Sequence, residues 1–334
     1  MTLRIGVLGA ARIAPPAIIG PARAVDGAKV VAIAARDRGK AEQFAAKHGI
    51  PTVHDTYEDV IASDAVDAIY NPLPNGLHGA WTIKAIEAGK HVLCEKPFTA
   101  NADEARDVAA VANASDVVVM EAFHWRFHPL ATRILEIIET GEIGEVRHVS
   151  AALVAPYLKP GDIRWNLALA GGSLMDMGCY PISMVRTFAA AWPDNEPTVV
   201  SATARQLPGS PGVDRDVRAE LAFPNGITGK IVTGMLSRRF LDIHLTVRGT
   251  DGSVRVFNPV MPHMANGMLV TGRDGRRVER ADRTPTYVHQ LRAFVAAVTD
   301  GSEVLTTPDW SVANMQVVDG CYRAAGMEPR QPTR

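Results

Sequence analysis

Gly6-Val7-Leu8-Gly9-Ala10-Ala11-Arg12-Ile13-Ala14 joins an apolar run to a segment of helical spacing. Leu3–Leu8 reads as a buried strand, and apolar residues return at helix period from Ile13 to Ala24. A G-x-A-x-x-A pattern beginning at Gly9 therefore stands between a strand and a helix, the context a dinucleotide fingerprint requires. Alanines replace the second and third glycines. Ala11 still lets a pyrophosphate approach the backbone, and Ala14 still lets helix pack tightly on strand. Phosphates placed here would meet unpaired N–H groups and the positive end of the helix dipole. Gly9, Ala11, Arg12 and Ile13 are the candidate contacts. A tight turn with no ligand would use the same residues, so the neighbours decide.

Outward from that turn the pattern repeats. Lys29–Ala34, Ala68–Tyr70, His91–Cys94 and Val117–Met120 read as short strands. Gly39–His48, Tyr57–Ala62, Leu77–Ala88 and Ala102–Ala114 carry apolar residues at helix spacing. Asn101 before Asp103 and Glu104 is an N-cap signal, and Gly49 and Gly89 are C-cap signals. Strands alternating with such helices predict a parallel sheet wrapped on both faces, an α/β fold. Ligands of such sheets bind beyond the carboxyl ends of the strands.

The chain has 334 residues, enough for roughly two domains. A net charge of -1 gives no support for binding nucleic acid or anionic membrane. Cys94, Cys179 and Cys321 are odd in number and far apart, which argues against a disulfide framework or zinc site and suits a reducing compartment. The apolar start is too short to span a membrane and meets Arg12 within a few residues. A cytoplasmic protein without a bound metal is expected.

Three further segments fall at the carboxyl edge of the sheet. Arg36, 22 residues after Ala14, stands where an NAD-binding domain usually has an acid. Its guanidinium suits a 2′-phosphate, Lys40 can add charge, and NADP is favoured over NAD. Asp37 keeps NAD open. In Asn71-Pro72-Leu73-Pro74-Asn75-Gly76-Leu77-His78, Asn71 and Leu73 are placed to touch a cofactor. Asn75 is a helix cap, and His78 is either structural or at the same edge. In His91-Val92-Leu93-Cys94-Glu95-Lys96-Pro97-Phe98, Pro97 ends the strand and leaves Glu95 and Lys96 at the edge, as loop charges or as a site.

Gly9-to-Ala14, Asn71-Pro72-x-Pro-Asn-x-x-His78 and Glu95-Lys96-Pro97, in this order and spacing, resemble the glucose–fructose oxidoreductase / inositol dehydrogenase / MocA (Gfo/Idh/MocA) family. The resemblance covers nearly the whole chain. It implies an N-terminal Rossmann domain and a C-terminal α/β domain on an open, mostly antiparallel sheet. Boundaries of 1–122 and 123–334 follow, with a homodimer or larger homo-oligomer through that sheet. It implies hydride transfer on a sugar, keto-sugar or cyclic polyol, Lys96 as the motif lysine, and a Lys96-Pro97 bond that is often cis. Glu95 is then a candidate cofactor contact.

Beyond residue 120 the residues fit. Glu121-Ala122-Phe123-His124-Trp125-Arg126-Phe127-His128-Pro129 is rich in aromatic, imidazole and guanidinium groups. The resemblance puts this segment at the cofactor and substrate site, implicating Trp125 and Arg126, with Phe123 as a substrate or core residue. From Val146 polar and apolar residues alternate, as in a sheet with one covered face, with hairpin turns at Asn225-Gly226 and Thr250-Asp251-Gly252. Helices at about 287–299 and 311–325 are expected to pack across both domains. Arg164 and Trp165 are candidates for binding sugar hydroxyls and ring.

In Gly171-Gly172-Ser173-Leu174-Met175-Asp176-Met177-Gly178-Cys179-Tyr180-Pro181, a helix would set Asp176 and Tyr180 on one face. Ser173 and Asp176 also form a capping-box pattern, and Pro181 would free the Met177 carbonyl. Tyr180, where other members carry His, is similar to the branch of dihydrodiol and xylose dehydrogenases and sugar ketoreductases. A free phenol has a pKa of about 10, and a nearby Lys96 would lower it. The expected roles are Tyr180 as acid/base, Lys96 as its electrostatic partner and substrate ligand, and Asp176 as an orienting group of a substrate hydroxyl or of Lys96; an exchange of roles between Lys96 and Tyr180 stays open. Two alternatives stand beside a sugar or polyol oxidoreductase: a trans-dihydrodiol dehydrogenase, and a non-catalytic NADP-binding sensor.

Overall fold

The structure, a computed structural model, describes residues 2–159, 161–190, 193–265, 267–273 and 275–333. Six strands form the first sheet: β1 Leu3–Leu8, β2 Ala28–Ala34, β3 Thr52–Val53, β4 Ala68–Asn71, β5 His91–Cys94 and β6 Val119–Glu121. They are parallel, in the order β3-β2-β1-β4-β5-β6. The order in which strands are added reverses between β1 and β4, so a crevice opens beyond their carboxyl ends. Gly9 stands there with φ +94°, and a Cβ on it would meet Leu73 at 3.3 Å. Both facts explain why this glycine survives where its two partners are alanines.

The expected caps are in place: Asn101 Oδ1 accepts from Glu104 N–H, and Gly49 is left-handed. The helix after the turn is looser than expected. Pro15, Pro16 and Pro21 disrupt the regular ladder, and Gly20 N–H reaches five residues back to the Pro15 carbonyl. The two-residue β3 is too short to leave a pattern in the sequence.

The second sheet has eight strands: β7 Val146–Val154, β8 Thr198–Leu207, β9 Ser210–Ala222, β10 Thr228–Gly234, β11 Asp242–Gly249, β12 Ser253–Phe257, β13 Gly267–Gly272 and β14 Gly275–Glu279. Their order is β14-β13-β12-β11-β7-β10-β9-β8, antiparallel except between β7 and β10. Both expected hairpins form, β9–β10 around Gly226 and β11–β12 around residues 250–252.

Helix Cys179–Phe188 covers one face of this sheet with Ile182, Val185 and Phe188. One apolar cluster runs from Leu8, Val92 and Phe98 through Trp125 and Tyr180 to Leu245 and Val254, so the sheets share a core. The C-terminal segment clasps both. The Arg330 carbonyl accepts from Asn101 Nδ2, and Asp319 accepts from Ala102 N–H. The Arg330 guanidinium, buried, holds Asp214 at 2.5 Å and the Gly171 carbonyl at 2.8 Å. Among the described residues, no helix is long and apolar enough to cross a membrane.

Candidate active site

A cleft of about 430 Å³ lies between the carboxyl edge of the first sheet and the turn before helix Cys179–Phe188. Its volume is that of a small-ligand site. Ala11, Arg12 and Ile13 form one end. Gly9 N–H is taken by the Ala34 carbonyl, and the next N–H donated within the chain is that of Ala14. Among the described residues the N–H groups of residues 10–13 thus have no acceptor, the condition that a bound pyrophosphate requires.

At the end of β2, Arg38 pairs with Glu42 and Asp55, and Lys40 with Asp37. Lys40 is therefore neutralised by its own turn. Arg36 is exposed, and its guanidinium has no ion pair or hydrogen bond among the described residues. Of Arg36, Arg38 and Lys40 it is the one without an acidic partner among the described residues.

The 71–78 loop divides its tasks differently from the sequence reading. Asn71 is fully buried, bonding the His78 carbonyl, Thr82 Oγ1 and Leu73 N–H. It braces the loop and does not line the cleft; Leu73, Asn75 and His78 do. Asn75 caps no helix, because its Nδ2 donates to Ala170 O in the other domain. His78 bridges the carbonyls of Leu73 and Pro97, each at 2.7 Å, and so ties this loop to Lys96-Pro97. Burial lowers its pKa to about 4 although both carbonyls oppose this.

The Lys96-Pro97 bond is cis. Glu95 accepts from the Tyr70 hydroxyl at 2.8 Å, and burial raises its pKa. Burial lowers the pKa of Lys96, but the charges of Asp176, Cys179 and Glu95 outweigh it and leave the group above its ordinary value. Nζ donates to Asp176 O at 2.8 Å and stands 5.1 Å from the centre of the Tyr180 ring.

The glycine turn places Asp176. A Cβ on Gly172 (φ +137°) would strike Asp214 Oδ1 at 2.1 Å, and one on Gly171 would strike Arg164 O at 2.7 Å. Ser173 forms no capping box; its hydroxyl meets Thr233. The turn 174–178 is wide, with Cys179 N–H reaching five residues back to Leu174 O. In that turn the carbonyl engaged by Lys96 is that of Asp176, while the Met177 carbonyl, expected to be freed by Pro181, accepts from Cys179 N–H.

The Asp176 carboxylate accepts from Arg164 Nε at 2.8 Å. Arg164 reaches Asp162, and Asp162 holds Arg12 at 2.5 Å. Alternating charges thus connect the fingerprint turn to Lys96.

Tyr180 lines the cleft, and its hydroxyl is 3.0 Å from His124 Nε2. Burial raises its pKa well above that of a free phenol, with Tyr287 and Glu95 adding to the shift. This is opposite to the lowering expected from Lys96, whose ammonium faces the ring.

Four other expected contacts lie elsewhere. Trp125 is buried, donates to Ser183 Oγ and packs on Phe188. Phe123 is a core residue edge-on to Tyr180 and Trp310. Arg126 faces a separate cavity beside Glu303 and Arg186, and Trp165 lines an outer groove with Leu158 and Leu167. The sequence reading missed His124 and Tyr287, whose rings lie 4.1 Å apart in the cleft wall. The imidazole-rich 121–129 segment was the available signal for the first.

His128, Asp282 and His289 could offer three metal-ligand atoms within 4.8 Å. However, His128 Nδ1 accepts from Leu130 N–H, so Nε2 carries the proton and faces the Asp282 carbonyl.

Residues 3–123 match an oxidoreductase family model described as an NAD-binding Rossmann fold, and residues 132–255 match the GFO/IDH/MocA C-terminal domain. The chain is 37% identical over 328 residues to a D-xylose 1-dehydrogenase (NADP(+)) of Haloferax volcanii, covering 97% of each. It is 32% identical over 232 residues to a trans-1,2-dihydrobenzene-1,2-diol dehydrogenase of Sus scrofa, covering 69% of this chain and 67% of that one. Among solved structures, a 3-ketoreductase from Actinomadura kijaniata in complex with NADP and TDP-benzene superposes with a TM-score of 0.87. The two are 28% identical, with coverage of 97% and 98%.

Proposed function

This chain belongs to the Gfo/Idh/MocA oxidoreductase family, and on that premise we propose that it is an NADP-dependent oxidoreductase of sugars or cyclic polyols. The observation that carries the reading is the convergence of Lys96 from one domain with Tyr180 and Asp176 from the other on one cleft. That cleft continues to a cradle of unpaired N–H groups. Residues 10–13 would hold the pyrophosphate and Arg36 the 2′-phosphate. When bound, NADP supplies or accepts the hydride.

The chain's own residues handle the proton and the substrate's orientation. Tyr180, kept neutral by burial, is the acid that protonates a carbonyl oxygen in reduction and accepts a proton in oxidation. An ammonium has three N–H donors, and among the described residues one of Lys96's is taken, by Asp176 O. The other two are available to polarise the same substrate oxygen. Asp176 and Arg164 present a paired acceptor and donor to neighbouring hydroxyls. Exposed Val200, Phe240, Leu241 and Phe257 suggest that a second copy covers part of the second sheet, which light scattering would test.

The functional test follows NADP+ and NAD+ reduction with D-xylose, other aldoses, inositols and a cyclohexadiene trans-diol, and NADPH oxidation with keto-sugars. Turnover of a sugar or polyol with NADP is expected. Turnover of the diol alone would make the protein a dihydrodiol dehydrogenase. Tight NADP binding with no turnover in either direction would leave a sensor and sink the proposal.

A further inference from the structure

We propose that His124 is a positioning residue for the proton transfer, donating its Nε2–H to the Tyr180 oxygen so that the phenol's own hydrogen faces the substrate. The inference rests on the functional reading above and adds to it the group that supports the acid.

The two side chains are buried and meet at 3.0 Å, and no other hydrogen bond engages the Tyr180 hydroxyl among the described residues. Among the described residues, His124 Nδ1 is buried with no hydrogen-bond partner. That selects between the two tautomers on physical grounds. If Nδ1 held the proton, an N–H would be buried with no acceptor, the costlier of the two ways to leave a polar atom bare. With the proton on Nε2, only a lone pair is bare, and Nε2–H must donate to Tyr180. Tyr287 packs on the imidazole with ring centres 4.1 Å apart and planes tilted by 41°, which fixes the ring's orientation.

The consequence is directional. A phenol oxygen that already accepts from His124 turns its own hydrogen elsewhere, and the cleft is the open side. In reduction the Tyr180 O–H bond breaks as the bond from that hydrogen to the substrate oxygen forms. The electron pair stays on the phenolate, which keeps the His124 Nε2–H hydrogen bond, now charge-assisted and stronger. The hydride comes from the reduced nicotinamide, and water then returns a proton to Tyr180. Oxidation reverses each step. Lys96, beside the ring face and held by Asp176, serves the substrate oxygen; His124 serves the tyrosine oxygen.

The test has a spectroscopic arm independent of turnover. In the full chain with 15N-labelled histidine and bound NADP, the His124 signals are assigned by their loss in His124→Phe. Protonation at Nε2 is expected, with an Nε2 shift that changes in Tyr180→Phe. A proton on Nδ1, or an Nε2 signal indifferent to Tyr180→Phe, overturns the proposal. The kinetic arm uses D-xylose and NADP+. His124→Phe should lower kcat roughly 10–100-fold, a fraction of what positioned acid–base catalysis contributes, with KM within about twofold. His124→Gln, which keeps an N–H donor, should recover part of the loss. His124→Phe should cost nothing further in a Tyr180→Phe background. An equal loss in both backgrounds overturns the proposal. If no sugar is turned over, the functional reading fails, and the nitrogen spectra still decide this one.

Discussion

Lys96 Nζ donates to the main-chain carbonyl of Asp176 at 2.8 Å and stands 3.8 Å from its carboxylate. The carbonyl fixes where the ammonium sits, and the carboxylate keeps it charged in a buried place. Asp176→Asn separates the two, leaving the carbonyl and removing the charge. Burial then dominates, and Lys96 loses its proton at lower pH than in the parent protein. Activity that needs the ammonium should fall off on the alkaline side about one unit earlier or more. A pH profile of kcat/KM with NADP+ and D-xylose reads this, and an unmoved alkaline limb would contradict the account.

Arg330 and Asp214 predict a stability effect far from the reacting atoms. Asp214 accepts from Arg330, the Tyr322 hydroxyl and Leu174 N–H, all buried. Arg330→Ala leaves a buried carboxylate without its counter-charge, a change that costs about 3–5 kcal/mol. The urea midpoint should fall accordingly with little change in slope. Because Leu174 N–H opens the turn carrying Asp176, activity should fall even well below the midpoint. A loss under about 1 kcal/mol would mean water reaches Asp214 and replaces the arginine.

The sheet, its edge and the convergence of Lys96, Asp176 and Tyr180 were legible because their signals are local. Gly9 closes a turn, Pro97 ends a strand, and Asp176 and Tyr180 lie one helical turn apart. What failed depended on which way a side chain points. His124-Trp125-Arg126-Phe127 forms a tight helical turn with about three residues per turn, so adjacent side chains leave in different directions. His124 enters the cleft, Trp125 the core and Arg126 another cavity. Composition marked the segment but could not choose the member. Asn75 looked like a cap, yet its acceptor, Ala170 O, lies 95 residues away. Asp162, which joins Arg12 to Arg164, sits in a loop without periodicity, and only the fold reveals its partners.

On the proposed reading Arg36 sets the cofactor preference, because Arg38 and Lys40 are already paired with acids. Arg36→Ala should raise KM for NADP+ roughly 10–100-fold, the loss of one charge-assisted contact of about 1.5–3 kcal/mol. KM for NAD+ should change little. Lys40→Ala should leave both within about threefold, since its charge is spent on Asp37. Equal losses for NADP+ and NAD+ in Arg36→Ala would place the guanidinium against the adenine and not the phosphate.

Glu121 gives a prediction in pH. Its carboxyl is fully buried, with Ser311 and the Phe98 backbone facing it but no hydrogen bond closed at either oxygen. Burial raises its pKa to about 8 from an ordinary 4.5. The folded state therefore holds a proton that the unfolded chain has released. The associated stability is fully present below about pH 4.5 and is lost as pH rises through about 8. His78 and His124, lowered by burial to about 4 and about 3, act in the opposite sense: their contribution is whole above pH 6.5 and falls away as acid is added. Subtracting a Glu121→Gln variant from the parent cancels the histidines and isolates the glutamate. The variant should gain on the parent between pH 5 and pH 9, by on the order of 3–5 kcal/mol at the alkaline end. Urea melts at pH 5, 7 and 9 measure the gap, and curves that stay parallel over that range would show that Glu121 ionises as freely in the folded protein as in the unfolded chain.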